Sequence, residues 1–455
     1  MSRVASILSL TVILLCVASA FPCFADDNRP PVKDWTLAVF LNADNNLDPF
    51  GVEDQLEMSR IGSNDWFNMV TLIDRERGPA SYNYIEKGKV TKVQDLGEID
   101  MGDYRQMVNF MKWVKTNYPA KKYILTIWNH GSGWKQAGKG IVRGISYDDS
   151  SNNHITTEQL GMALSEINKV LGQKIDILNM DACLMQMAEV AYVCRDFCRF
   201  IVASEDVEPG KGTPYDDVFT HLKNGMAVDV FSRLWVKAFV DSYNNGSQGY
   251  ESCTQSAINM TAMNTVKDAV DGFAKAAMSG DFRADFAKVL SQVQKFEYKE
   301  NIDLIHFTRL VKSLVKDEGV QTACTKLLSA MEKAVHANAT VDASMKNAFG
   351  MAIYFPSSSY SFDGKYRELA FCRASLWDDM IVDYHKKNTA AMLVAGLESG
   401  SLEELRSYVA ASGKINQEIT KHVVQQIRFR LHTEGGLEQS LTTGVEALLK
   451  ELSDK

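Results

Sequence analysis

The stretch KIDILNMDACLMQMAEV at 174–190 decides the reading of this chain. Its first half, KIDILNM, is a short β-rich run of the kind that forms a strand buried on both faces. Its second half places Leu184, Met187, Ala188, Ala191 and Tyr192 at the spacing of one buried helix face, predicting a helix over 184–196. Between the two lies Asp181-Ala182-Cys183. A thiol in such a strand-to-helix turn sits near unpaired backbone N–H groups and a helix dipole, which favour a thiolate.

Outward from this point the pattern repeats. Apolar runs at 36–42, 69–73, 123–128, 200–204, 256–260 and 351–355 alternate with helical periodicity over 47–61, 103–118, 156–171 and 229–244. This alternation predicts an α/β fold around a mostly parallel central sheet. Glu86-Lys87-Gly88-Lys89 reads as a hairpin turn within 81–97. Residues 263–340 read as mostly amphipathic helix, with the sheet rejoined at MAIYFP. Positions 389–455 carry no strand pattern and read as a helical C-terminal extension, which leaves 26–388 as one domain.

The N-terminus joins Arg3, an apolar run from Val4 to Leu15, and small residues before Asp26, the pattern of a secretory signal peptide. Cleavage after Ala25 is expected, with a secreted or periplasmic mature protein and no stable membrane span. The net charge of −8 in 455 residues argues against nucleic acid as a partner, because such proteins concentrate Lys and Arg on one face. The histidines show no paired metal spacing. Cys194 and Cys198, four apart, lack further ligands nearby and read as buried structural thiols, so no metal site is expected.

A second strand, YILTIW at 123–128, runs into Asn129-His130-Gly131-Ser132-Gly133-Trp134. In open α/β sheets the carboxyl ends of neighbouring strands form the site crevice, where a histidine and a cysteine can meet. Cys183 would then be a nucleophile and His130 the group that protonates a departing amine. The backbone N–H groups of Gly131 and Cys183 are candidate oxyanion donors. Asp44 and Asn45, after the first strand, read as residues that order loops around the crevice.

NHGSGW at 129–134, DACLM at 181–185 and the 53 residues separating His130 from Cys183 resemble the clostripain family of cysteine peptidases, in the clan of caspases, legumains and gingipains. LNADNNL at 41–47, GISYDD at 144–149, EPGKGTPYDD at 208–217 and GMAIYFP at 350–356 extend the resemblance over roughly 36–385. It implies a caspase-like αβα sandwich and a Cys–His dyad endopeptidase cleaving polypeptides through a thioester, with His130 and Cys183 in those roles. It also implies cleavage after Arg or Lys, with Asp181 as an acid in the substrate pocket, while Glu205 and Asp206 are looser candidates. Asp181 as the N-cap of the following helix is the competing reading.

Family members are often proenzymes cut between the two motifs, where Lys135, Lys139 and Arg143 offer basic sites. The alternative there is a surface loop that stays intact. No cofactor is required. Calcium is the one ion the resemblance allows, although adjacent Asp148 and Asp149 fall short of a full oxygen cage. A monomer is expected. A transpeptidase with the same dyad, or a silent binding protein on the same fold, are the alternative functions.

Overall fold

The computed structural model describes residues 30–134, 144–358 and 361–398, with the backbone alone for 389–398. The expected signal segment, Lys135, Lys139, Arg143 and the extension beyond 398 therefore lie outside the described residues.

One nine-stranded sheet organises the chain. In sequence order its strands are β1 (Lys33–Ala43), β2 (Phe67–Arg75), β3 (Ala80–Glu86), β4 (Lys89–Gly97), β5 (Ala120–Trp128), β6 (Ile175–Asp181), β7 (Cys198–Ala203), β8 (Cys253–Asn259) and β9 (Val335–Val341). Their spatial order is β9-β8-β7-β6-β5-β1-β2-β3-β4. The five central strands from β7 to β2 pair in parallel, and antiparallel pairs close both edges.

β1 shows why the centre forms. Its side chains alternate between two cores: Leu37, Val39 and Leu41 face one, Ala38 and Phe40 the other, all fully buried. A strand buried on both faces must be apolar nearly throughout, as the sequence pattern requires. Helices α1 (Asp48–Ile61), α5 (Tyr215–Phe219) and α6 (Val228–Tyr243) cover the first face. On the second lie α2 (Tyr104–Asn117), α3 (Thr157–Leu171), α4 (Ala188–Cys194), and α7 (Met263–Met278) to α10 (Glu318–Ala334), joined by α11 (Ala370–Ala374) and α12 (Trp377–Glu398). The result is the αβα sandwich expected. Local signals fix the helix ends: Thr156 and Gln159 form a reciprocal capping box at the start of α3, and Gly172 ends it in the left-handed conformation.

Three expectations are corrected. MAIYFP does not rejoin the main sheet, because Ala352–Tyr354 pairs with Asn301–Asp303 in a separate two-stranded ribbon. The ninth strand is instead Val335–Val341, from the segment read as helical. The helix after Cys183 begins only at Ala188, so Leu184 and Met187 are buried loop residues and not helical ones. Apart from these corrections, the backbone of α12 runs unbroken from Trp377 to Glu398, across the boundary expected at 388.

At the carboxyl end of β2, Asp74 is fully buried and one of its oxygens has no partner. Burial, reinforced by the charges of Glu98, Asp148 and Asp44, pushes its carboxyl up to about 8. In the unfolded chain the same group loses its proton near about pH 4. Between those values the native state binds the extra proton, so this group's contribution to stability falls as pH rises from about 4 to 8. Asp74→Asn should therefore raise the melting temperature at pH 8 by about 2 °C or more and leave it nearly unchanged at pH 4. A difference independent of pH, in a differential scanning measurement, would contradict this.

Candidate active site

The chain leaves β1 toward β2 on one side and later returns to place β5, β6 and β7 on the other. The crevice of such a sheet lies at this reversal, beyond the carboxyl ends of the strands. Asn46, His130 and Cys183 all follow those ends directly.

Residues paired across β5 and β6 differ by 53 in number, from Ile124 with Ile177 to Trp128 with Asp181. Two residues further on, that register sets His130 beside Cys183. The Asn129 N–H still donates to the Asp181 carbonyl at 3.2 Å. Gly131 makes the approach feasible: a Cβ there would lie 2.5 Å from the Cys183 carbonyl oxygen and 3.0 Å from the Ala182 Cβ. The glycine thus admits the neighbouring chain.

The turn carrying Cys183 is held from both sides. Leu184 takes φ +64°, a left-handed conformation that costs a side-chain-bearing residue about 1–2 kcal/mol. The Leu184 N–H donates to the Asp206 carbonyl (3.0 Å) and the Gln186 N–H to the Ser204 carbonyl (2.9 Å). The Gln186 side chain reaches the Ser256 carbonyl at 2.9 Å. These bonds offset the strain and hold the thiol half-buried at the rim of the crevice.

The electrostatics differ from expectation. With the helix starting five residues later, no dipole acts at Cys183. Burial, with the negative charges of Glu208 and Asp206, pushes the thiol up to about 12, against one favourable bond from the Glu208 N–H to Sγ at 3.4 Å. Burial also lowers His130, only partly opposed by Asp149. The resting pair is accordingly a neutral thiol beside a neutral imidazole at pH 7, and the imidazole is the base available to take the thiol proton. His130 Nε2 lies 2.7 Å from the Asn46 Oδ1.

Asp181 is no helix cap: the N-cap of α4 is Met187, without a side-chain cap bond. Instead its carboxylate accepts from the Thr213 N–H (3.0 Å) and the Tyr215 hydroxyl (2.9 Å). Gly212, at φ +60°, permits this closeness, since a Cβ there would meet the Asp181 Oδ1 at 2.8 Å. The Glu208 carboxyl hydrogen-bonds that of Asp181, and both are raised chiefly by burial. Asp54 of α1, bonded to the Trp128 indole N–H at 2.6 Å, completes a buried trio and is raised by burial and by the Asp181 charge. Among the described residues no Lys or Arg pairs with any of the three. A cleft of about 330 Å³ between α1 and the 211–216 and 247–248 segments opens onto Asp54.

Of the looser candidates, Asp206 stays near Cys183, with its carboxylate accepting from the Glu297 N–H at 2.8 Å. Glu205 is drawn elsewhere: it is fully buried, accepts from the Gly350 N–H at 2.8 Å and faces the Asp303 carboxyl. It bolts the ribbon region to the sheet and does not join the trio. Asp54, Glu208 and Asn46 were not singled out from sequence. Asn46 stands inside LNADNNL and Glu208 inside EPGKGTPYDD, so the motifs carried a signal. Asp54, on the helix that follows LNADNNL but outside either motif, left none.

Asp148 spends one oxygen on the Met101 N–H and the other on the Ser151 N–H, both at 2.8 Å. No group of three or more His, Cys, Asp or Glu among the described residues is placed to hold a metal ion. Asp148 and Asp149 thus do not fit a calcium cage. No described helix is long and apolar enough to cross a membrane.

Residues 39–399 match the profile of the clostripain family. A clostripain of Hathewaya histolytica is 31% identical over 232 residues, 44% of this chain and 44% of that protein. Among solved structures, a secreted C11 cysteine protease from Bacteroides thetaiotaomicron, in complex with an irreversible peptide inhibitor, superposes with a TM-score of 0.61 at 19% identity. That match takes in 76% of this chain and 100% of the other. An inactive zymogen C11 protease from Parabacteroides distasonis gives 0.58 at 19% identity, over 76% of this chain and 99% of the other. At such identities the superpositions speak for the shared fold, and the profile match over most of the length speaks for kinship. The chain belongs to the clostripain family.

Proposed function

We propose that this protein is an exported, monomeric cysteine endopeptidase that cleaves polypeptides after Arg or Lys. His130 takes the proton of Cys183 as Sγ attacks the scissile carbonyl, and then gives it to the departing amine; water resolves the thioester with His130 again as base. The N–H groups of Gly131 and Cys183 serve the oxyanion. The reaction requires no cofactor. Lys135, Lys139 and Arg143, between the two motifs, are the sites at which a basic-specific enzyme would process its own kind.

The observation that carries the specificity is the trio of Asp54, Asp181 and Glu208. Three carboxyls gathered in a low-dielectric interior, with no Lys or Arg paired to them among the described residues, are raised because each charge is unfavourable there. A guanidinium or ammonium group entering beside them supplies the missing counter-charge. A panel of fluorogenic peptides varied only at P1 tests this: Arg and Lys should exceed neutral residues by about 100-fold or more in kcat/KM. A flat or acidic preference would refute it. Product masses in the presence of an added amine distinguish hydrolysis from transpeptidation.

A further inference from the structure

We propose that Asn46 is a positioning residue: its side-chain oxygen accepts the Nε2 proton of His130 and so leaves Nδ1 as the nitrogen that serves Cys183. The proposal rests on the dyad reading above and deepens it. A neutral imidazole has one donor and one acceptor nitrogen, and the partner of one decides the task of the other. At 2.7 Å the Asn46 Oδ1 lies within an ordinary hydrogen bond of Nε2. With that nitrogen committed as a donor, Nδ1 is the base.

The surroundings hold this contact in place although Asn46 itself is exposed. Its neighbour Asn45 is buried, accepts from the Leu47 N–H at 2.9 Å and donates to the Tyr147 carbonyl at 2.8 Å. Asn129, next to His130, donates to the Asn42 carbonyl at 2.6 Å and accepts from the Tyr147 N–H at 2.8 Å. The loops after β1 and β5 are therefore clamped to each other and to Tyr147, one residue away from each partner.

An amide also suits the charge balance. Asp149 is the charged carboxylate acting on the ring, and Asp206 and Glu208 flank the thiol. A further carboxylate at position 46 would favour imidazolium and weaken the base, whereas an amide orients the ring without adding charge.

Nitrogen NMR of protein labelled at histidine tests this directly, with the His130 signals assigned by their loss in His130→Ala. The expected result is the Nε2–H tautomer in the native protein and a mixture in Asn46→Ala. The Nδ1–H tautomer, or identical spectra in Asn46→Ala, would overturn the proposal. Kinetics supply the second readout. Asn46→Ala should lower kcat about 10-fold or more with KM nearly unchanged, and Asn46→Asp should move the histidine limb of the pH–rate profile upward by about one unit. An unmoved limb in Asn46→Asp contradicts it. If the tautomer responds to Asn46 while Cys183→Ala still turns over substrate, the dyad reading fails and the positioning role stands.

Discussion

Cys183→Ala is expected to lower turnover of a peptide with Arg or Lys at P1 by about 10⁴-fold or more, with little change in melting temperature. The size follows from chemistry. No other described cysteine is positioned to replace it, since the remaining five are buried in the cores. The small effect on stability follows from placement: the turn is held by the backbone of Leu184 and Gln186, which the substitution leaves intact. His130→Ala should cost nearly as much, and the double variant little more than either single one, because the two side chains perform one proton transfer. Additive losses in a double-mutant comparison would mean that they act separately.

Asp181→Asn is the second large effect. The amide keeps an oxygen for the Thr213 N–H and can donate to the Tyr215 hydroxyl, so the loop that Asp181 secures should persist. What disappears is a buried negative charge. Truncating one partner of a desolvated charge pair typically costs about 2–5 kcal/mol. The ratio of kcat/KM for Arg or Lys over a neutral P1 residue should thus fall about 30-fold or more. The fall should come mainly from the basic substrates, with hydrolysis of neutral ones retained. An undiminished ratio would deny Asp181 its role in specificity.

Much of this was legible in sequence, for identifiable reasons. β1, β5 and β6 are buried on both faces, so their apolar runs are nearly continuous, and the hairpin of β3 and β4 announces its turn at Lys87-Gly88. Other elements hid for equally physical reasons. β9 is a half-exposed edge strand reading VHANATV, with branched apolar residues only at its two ends. The apolar run after Cys183 mimicked a helix because the loop at 184–187 is itself buried against the 204–206 segment. The error mattered, for it suggested a thiolate stabilised by a helix, whereas burial among carboxylates keeps the thiol protonated.

The site divided along the same line. His130 and Cys183 could be picked out because adjacent parallel strands in matched register turn a spacing of 53 residues into neighbouring strand ends. Asp54 and Glu208 were not, because their meeting with Asp181 depends on how α1 and the loop before α5 pack over the sheet.

The central claim is that Cys183, activated by His130, attacks the carbonyl of a peptide ending in a basic residue. The most direct measurement is peptide mapping by mass spectrometry after treating native protein with an irreversible peptidyl inhibitor bearing Lys or Arg at P1. The predicted result is one adduct, on Cys183, formed far more slowly in His130→Ala and suppressed when the P1 residue is acidic. Labelling of another cysteine, or of Cys183 only after denaturation, would contradict the account.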